Sequence, residues 1–477
     1  MTAAGLIATS EQRMVLGLGA TGCSVARWWR AQGVPFKAAD TRASMADSKQ
    51  VRDAIGDETE AYFGDIDAAI LSTVSELVVS PGISLDDPFV AQATALGIRV
   101  IGDIDLFTAA VASLNASDGA SDRASDKASV KASVKATVIG ITGSNGKTTV
   151  TAMLGEMIAQ CGKRTAVGGN LGTPALDLLD DDVDVYVLEL SSFQLERCEA
   201  LGLSVATVLN VSPDHLDRHG SMPRYHLAKH RIFQGAHAIV ANRADPLTIP
   251  LLEHKVDIVI WRPDEPDLNE FGTRMIDGAR WICRGFEPLL NVAELRLAGE
   301  HNVNNALAAL SCGVAAGFDA KQLLVGLKSF EGMPHRCETV LEHAGVRWIN
   351  DSKGTNIGAT IAALEGMGGQ NNVVLIAGGV GKNQDFSLLT SAARQHCKRV
   401  LTLGEAARDI ELALGNAVPC QRMADLDGAI MRASELAERG DLVLLSPACA
   451  SFDMFRSYEA RGDAFRDLVV QRVGAGS

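Results

Sequence analysis

The sequence lacks the features that would place it in a membrane, on a nucleic acid or outside the cell. No apolar run approaches the ~20 residues needed to span a bilayer, and the opening MTAAGLIATSEQR has no signal-peptide pattern. A basic excess is missing too. The formal net charge is −14, so neither a nucleic acid nor an anionic lipid surface is a natural partner. An acidic chain that binds phosphates must do so with local devices: helix N-termini, placed Lys and Arg, and metal ions. The nine cysteines are scattered, with no CxxC spacing. That argues against disulfide or zinc frameworks and for free thiols in a reducing cytosol. The expectation is a soluble, cytoplasmic protein.

What is present is a repeated alternation of strand and helix. At 477 residues, 47% of them hydrophobic, the chain is long enough for about three cores. Short apolar runs followed by Gly-rich turns recur, as in RMVLGLGATG, ATVIGITGSNGKT, DVYVLELSS, NVVLIAGGVGK and DLVLLSPACAS. Such alternation implies an α/β fold with parallel sheets and ligands at the carboxyl ends of strands. One segment differs. From Asn115 to Thr137 the chain repeats ASDG, ASDR, ASDK, ASVK, ASVK, with almost nothing apolar to offset its ordering entropy. It is read as a flexible or weakly helical linker. A Pro334 turn leading into a hairpin marks a second boundary. The expected division is a first domain over 1–110, a low-complexity linker over 111–137, a central domain over 138–333 and a last domain over 334–477.

Two Gly-rich turns point to nucleotides. Gly17-x-Gly19-x-x-Gly22 follows a strand and opens a helix, and Asp40 lies 18 residues past the last glycine. This is a dinucleotide-type fingerprint in its proper context, with a plain packing turn as the alternative. The second turn, GITGSNGKTT, is off register for the general phosphate loop. Counting back from Gly146-Lys147-Thr148 puts Ile141 where a glycine is expected. Even so, it runs from a strand into a helix. Gly143 and Gly146 let amides converge on phosphate, Lys147 supplies charge, and Thr148 can reach Mg2+. This domain is expected to bind ATP. Glu189 ends a later strand, where a metal-binding acid is wanted. Asp214, His215, Asp217, Arg218 and His219 cluster after another, with Lys229 in the following helix; a second metal or anion site and a solvated loop are both open readings. His301, Asn302 and Asn305 share a helix face, suited either to hydrogen-bonding a nucleotide or phosphate or merely to capping an Ala-rich helix. Arg336, Lys353, Lys382 and Ser451 each stand at a turn or strand end of the last domain.

Taken in order, GLGATG, DTR, VSPGI, ITGSNGKTT, GGNLGTPAL, LELSSFQLE, LNVSPDHLDRH, GEHNVNNALAAL, PHR, INDSKGTN and LLSPACASFDMF resemble the bacterial Mur ligases, the ATP-dependent amide-forming enzymes of peptidoglycan precursor synthesis. The likeness is strongest to the D-glutamate-adding branch and covers nearly the whole chain apart from the repeat. It explains the register, since the phosphate loop of this family reads T-G-x-N-G-K-S/T. It implies three α/β domains: N-terminal Rossmann-like, central P-loop ATPase-like with a parallel sheet, and C-terminal Rossmann-like. The implied substrates are ATP, UDP-N-acetylmuramoyl-L-alanine and D-glutamate, with two Mg2+ sites and a monomeric enzyme.

Site residues carried over by the resemblance fall into groups. Ala20, Thr21, Asp40, Thr41, Arg42 and Gly82 would hold the UDP moiety in place of NAD. Gly143, Ser144, Asn145, Gly146, Lys147, Thr148, Thr149 and Val150 would hold the ATP phosphates. Asn302, Asn305, Arg336, Asp351 and Lys353 would also contact ATP. Asn170, Ser191 and Gln194 would lie near the nucleotide-sugar. Thr148, Glu189, His215 and a carbamylated Lys229 would be metal ligands, and Lys147, Glu189, His215 and Lys229 the catalytic set. Thr355, Lys382, Ser451, Phe452 and Tyr458 would hold the incoming glutamate. Phe452 and Tyr458 depart from the Leu and Phe usual in this branch.

Overall fold

The computed structural model describes residues 12–121, 136–170, 172–251, 256–297, 299–382 and 384–474. Three sheets organise them. The first holds β1 (Arg13–Leu16), β2 (Phe36–Asp40), β3 (Ala61–Phe63), β4 (Glu76–Val79) and β5 (Arg99–Ile101), all parallel, in the order β3-β2-β1-β4-β5. Strand order reverses between β1 and β4, which opens a crevice at their carboxyl ends. Helix Ala20–Ala31 begins in that crevice. Gly22 is required there, because a Cβ would stand 1.8 Å from the Gly17 carbonyl oxygen.

The central sheet has nine strands. β6 (Thr137–Thr142), β7 (Thr165–Gly169), β8 (Val185–Glu189), β9 (Val205–Val208), β10 (Ala238–Asn242) and β11 (Asp257–Trp261) run parallel, in the order β11-β10-β9-β6-β8-β7. Beyond β11 the sheet continues through β12 (Phe271–Ile276), β13 (Ala279–Arg284) and β14 (Glu287–Asn291), and the last two pairings are antiparallel. Sequence reading does not contain this meander. Its connections, Asp277-Gly278 and Gly285-Phe286, are two-residue hairpin turns, too short for a crossover helix. Helix Lys147–Gln160 packs against Glu300–Ala315 and Ala320–Ser329, with Leu154, Met157, Leu307 and Leu323 fully buried among them. Each such side chain contributes about 1.5–3 kcal/mol of burial, and together they fix the helix that carries Lys147.

The third sheet is ordered β15-β16-β20-β17-β18-β19, from β15 (Glu338–His343), β16 (Val346–Asn350), β17 (Val373–Gly378), β18 (Cys397–Leu403), β19 (Cys420–Arg422) and β20 (Leu442–Leu445). β15 and β16 form the hairpin expected after Pro334, and the remaining pairs are parallel. Between the first and second sheets, helix Asp103–Ser121 continues into the repeat, and residues 122–135 lie outside the described set. Its Phe107 meets Tyr186 of β8 edge-on at 5.1 Å. The Asn115 side chain accepts from the Ala136 N–H at 2.8 Å and donates to the Ala136 carbonyl at 3.4 Å.

Candidate active site

β6 ends at Thr142, and the chain turns through Gly143 to Gly146 into the helix that begins at Lys147. Gly146 has φ 80°, and a Cβ there would stand 2.6 Å from the Asn305 amide oxygen. Only glycine fits, so the loop lies hard against helix Glu300–Ala315. The loop is also held from behind. Ser144 N–H donates to the Asn210 carbonyl at 2.9 Å, Asn145 N–H to the Asn210 side chain at 2.8 Å, and the Ser144 hydroxyl meets the Tyr225 hydroxyl at 2.9 Å. Val150 points into the core, and its N–H is spent on the Gly146 carbonyl. It supports the loop from below and offers nothing to a ligand.

Two buried amines converge on one carbonyl. Lys147 and Lys229 each donate to the Gly143 oxygen at 2.8 Å. Burial lowers the Lys147 amine, and burial followed by the charge of Lys147 pushes Lys229 well below its ordinary value. Of the two amines Lys229 is pushed further toward its neutral form, and it lies over the Tyr225 ring at 4.5 Å. Glu189, at the end of β8, accepts from the Thr148 hydroxyl at 2.6 Å and the Asn170 amide at 2.7 Å. Burial alone would raise its carboxyl; Lys147, those two hydrogen bonds and Arg336 outweigh it and hold the group ionised. His215, in a left-handed conformation at φ 52°, lies 4.8 Å from the Phe193 ring, and burial lowers it toward the neutral imidazole.

The last domain reaches into the same space. Arg336 donates to the Thr148 hydroxyl, and Lys353 lies 4.0 Å over the Tyr458 ring. Burial and then Arg336 bring Lys353 down to about 8, while burial lifts Asp351 to about 6 against a hydrogen bond from Ser446. Asn356 caps helix Ile357–Met367 with its oxygen and donates its amide to Asn145 at 3.3 Å and Asp214 at 3.2 Å. These residues enclose a cavity of about 660 Å³, which Thr149 and Thr355 also line. Along it Trp261 Nε1, His301 Nδ1 and Asn304 Oδ1 are buried with no partner among the described residues, and Asn302 and Asn305 line it too. That apolar wall with unspent hydrogen-bonding groups suits a purine. Lys382, Ser451 and Phe452 do not line it. Ser451 is buried elsewhere, Phe452 is 73% exposed, and the charge of Lys382 further lowers His215.

A second cavity, of about 510 Å³, occupies the crevice of the first sheet. Ala20, Thr21, Asp40, Thr41, Arg42 and Gly82 all line it. The Asp40 carboxylate accepts from the Leu18 N–H at 2.7 Å and from the Arg42 guanidinium at 2.8 and 2.9 Å. Its far wall is central-domain: Asn170 and Gln194. Asn170 lines both cavities. Ser191, in the first, is locked to Gln194, in the second, by a reciprocal capping box.

Three family descriptions match consecutive stretches: a MurD-like N-terminal domain over 11–102, the Mur ligase middle domain over 141–313 and the Mur ligase glutamate ligase domain over 335–449. A UDP-N-acetylmuramoylalanine–D-glutamate ligase of Pseudomonas aeruginosa is 48% identical over 97% of this chain and 99% of its own. Its counterpart from Marinobacter nauticus is 44% identical over 97% and 99%. The chain belongs to the Mur ligase family. The fold agrees with that of the UDP-N-acetylmuramate-alanine ligase of Thermotoga maritima, which is 18% identical with TM-score 0.57, covering 98% of this chain and 100% of that one.

Several residues of this Mur ligase site escape sequence reading. Tyr225 sits one helical turn before Lys229, and that i, i+4 spacing is a signal that could find it. Asn356 is hidden because an Asn before a helix reads as an ordinary cap. Trp261 lies at the end of a strand with no accompanying motif, and nothing local betrays it. Among the described residues, no group of three or more His, Cys, Asp or Glu side chains could hold a metal ion by itself, and no helix is long and apolar enough to cross a membrane.

Proposed function

We propose that this Mur ligase joins D-glutamate to UDP-N-acetylmuramoyl-L-alanine with cleavage of ATP to ADP and phosphate, in peptidoglycan precursor synthesis. The observation that carries the reading is that two cavities share Asn170 as a lining residue. A nucleotide-sugar seated against Asp40 and Gly82 can extend its peptide carboxylate past Asn170 to the phosphate loop. The relatives named above carry the same activity in their names.

The carboxylate attacks the γ-phosphorus of ATP, forming an acyl phosphate and releasing ADP. The glutamate amine then attacks the acyl carbon, loses a proton, and phosphate leaves. The obstacle is an anion approaching a polyanion. Lys147, Arg336 and Lys353 concentrate positive charge there in a buried site, where it stabilises developing charge most effectively. The oxygen donors Thr148 and Glu189, joined by a hydrogen bond, suit a hard cation. They would hold Mg2+ together with His215, ATP oxygens and a carbamate on Lys229, at two sites. Mg2+ supplies neutralisation of phosphate charge. A buried, uncharged Lys229 amine is the form that combines with carbon dioxide, losing a proton to become that carbamate.

Thr355 lines the cavity and Tyr458 touches Lys353, so the glutamate subsite is proposed around these two, with Lys382, Ser451 and Phe452 standing off it. The enzyme is proposed to act as a cytoplasmic monomer, in keeping with nine free cysteines, with domains at 1–110, 138–333 and 334–477.

The test is phosphate release from ATP and Mg2+ with UDP-N-acetylmuramoyl-L-alanine, adding D-glutamate, L-glutamate or neither. Stimulation by D-glutamate alone supports the reading. Stimulation by L-glutamate keeps the chemistry and changes the substrate, and hydrolysis indifferent to both removes the ligase reading.

A further inference from the structure

Where the first and central sheets meet, a set of charged groups, one buried and two half-buried, lies outside both cavities. Arg197, with no exposed side-chain surface, donates to the carbonyl of Phe193 at 2.6 Å and of Ile83 at 2.7 Å. Arg218 donates to the same Ile83 carbonyl at 2.7 Å and to that of Gly82 at 3.4 Å. One oxygen of Glu196 accepts from both guanidinium groups, at 3.1 and 2.6 Å. Beyond that shared oxygen, both guanidinium groups donate to those carbonyls. It takes two forked donors to hold so short a piece of backbone.

That backbone is the wall of the nucleotide-sugar cavity. Ser80, Gly82 and Ile83 line it, and the loop is closed by Ile83 N–H donating to the Ser80 carbonyl at 3.0 Å. The other end of the set faces the chemistry. The Arg218 guanidinium lies 5.0 Å over the Phe193 ring, which packs on His215, and both of these residues line the phosphate-loop cavity. Interfaces between domains of one chain are by default mobile, yet a misplacement of about 1 Å at the reacting groups can cost about a hundredfold in rate.

We propose that Arg218, backed by Arg197 and Glu196, is a positioning residue that fixes the Gly82–Ile83 wall of the nucleotide-sugar cavity against Phe193 and His215 of the phosphate-loop cavity. It touches no substrate and acts through the backbone it holds. This rests on the ligase reading above.

The experiment is steady-state kinetics of the full chain and its Arg218→Met and Arg218→Lys variants, varying UDP-N-acetylmuramoyl-L-alanine and ATP separately, with a thermal melt of each. Loss of both forked bonds is expected to raise KM for the nucleotide-sugar about tenfold in the Met variant and about threefold in the Lys variant, which keeps one charged donor, with KM for ATP within about twofold. A merely structural pair would lower kcat with the folded fraction and leave KM alone. An unchanged nucleotide-sugar KM in both variants overturns the proposal while leaving the ligase reading intact. Should the Met variant melt without a cooperative transition, the Lys variant decides on the same criterion. Absence of nucleotide-sugar-dependent turnover in the unmodified chain removes both readings together.

Discussion

Asn356→Asp separates two roles that one side chain performs. Aspartate caps a helix as well as asparagine does, so the bond to the Ala359 N–H survives and helix Ile357–Met367 keeps its start. What disappears is the amide that donates to Asn145 and Asp214 across the domain boundary. Losing those two bonds costs about 1–2 kcal/mol. The new carboxylate stands where the amide met Asp214 at 3.2 Å. Two like charges about 4 Å apart repel by about 4 kcal/mol at an effective dielectric of 20, before relaxation and water reduce it. A net loss of about 3 kcal/mol follows, or roughly a hundredfold in kcat/KM for ATP. Asn356→Ser keeps a cap without the charge and should lose only about 5–30-fold. The assay is phosphate release at saturating nucleotide-sugar and glutamate with ATP varied, alongside a thermal melt that should fall by a few degrees in the Asp variant. Activity of the Asp variant within about threefold of the unmodified enzyme would refute the reasoning. So would a Ser variant as impaired as the Asp one.

Lys147→Ala should abolish turnover while leaving UDP-N-acetylmuramoyl-L-alanine binding nearly intact, because the amine touches only loop carbonyls of the ATP cavity; calorimetry that finds both lost would contradict the separation of the cavities. Lys353, brought down to about 8 by burial and Arg336, loses its charge as pH rises through that value, so kcat/KM for ATP should fall on an alkaline limb near pH 8. Stability moves the other way, since between about 8 and about 10.4 the unfolded chain binds the extra proton and the fold gains with pH. A profile flat to about pH 9.5, or one that Lys353→Arg fails to extend to higher pH, would contradict this assignment.

The phosphate loop was legible because its glycines, Lys147 and Thr148 lie together in sequence and their spacing dictates local backbone. Asp40 was legible for the same reason, since strand, turn and acid follow a fixed separation. The order of ligand motifs likewise revealed three α/β units. Relations that depend on packing were not legible. That Lys147 and Lys229 share the Gly143 carbonyl follows from how two helices approach one loop. The meander β12–β14 carries no ligand motif, and only the brevity of its turns reveals its direction. The family resemblance implies a place for Phe452 in the glutamate pocket, and the fold leaves it 73% exposed beside a buried Ser451. Arg218 belongs to a cluster open to two readings and Arg197 carries no motif, and only the fold reveals that both grip backbone of another domain.

Asn115 and Ala136, joined through both atoms of one amide side chain, are the residues immediately before and after five four-residue units, 116–119 through 132–135. The two ends of that stretch are thus held together at a single doorway. Closure entropy grows only with the logarithm of length, about 0.6 kcal/mol for each doubling. Units can therefore be gained or lost by whole cassettes while the doorway holds the two flanking domains in register. For the experimenter it is a ready-made port, where a tag or a reporter can be spliced in place of the repeat with both cavities left out of the exchange.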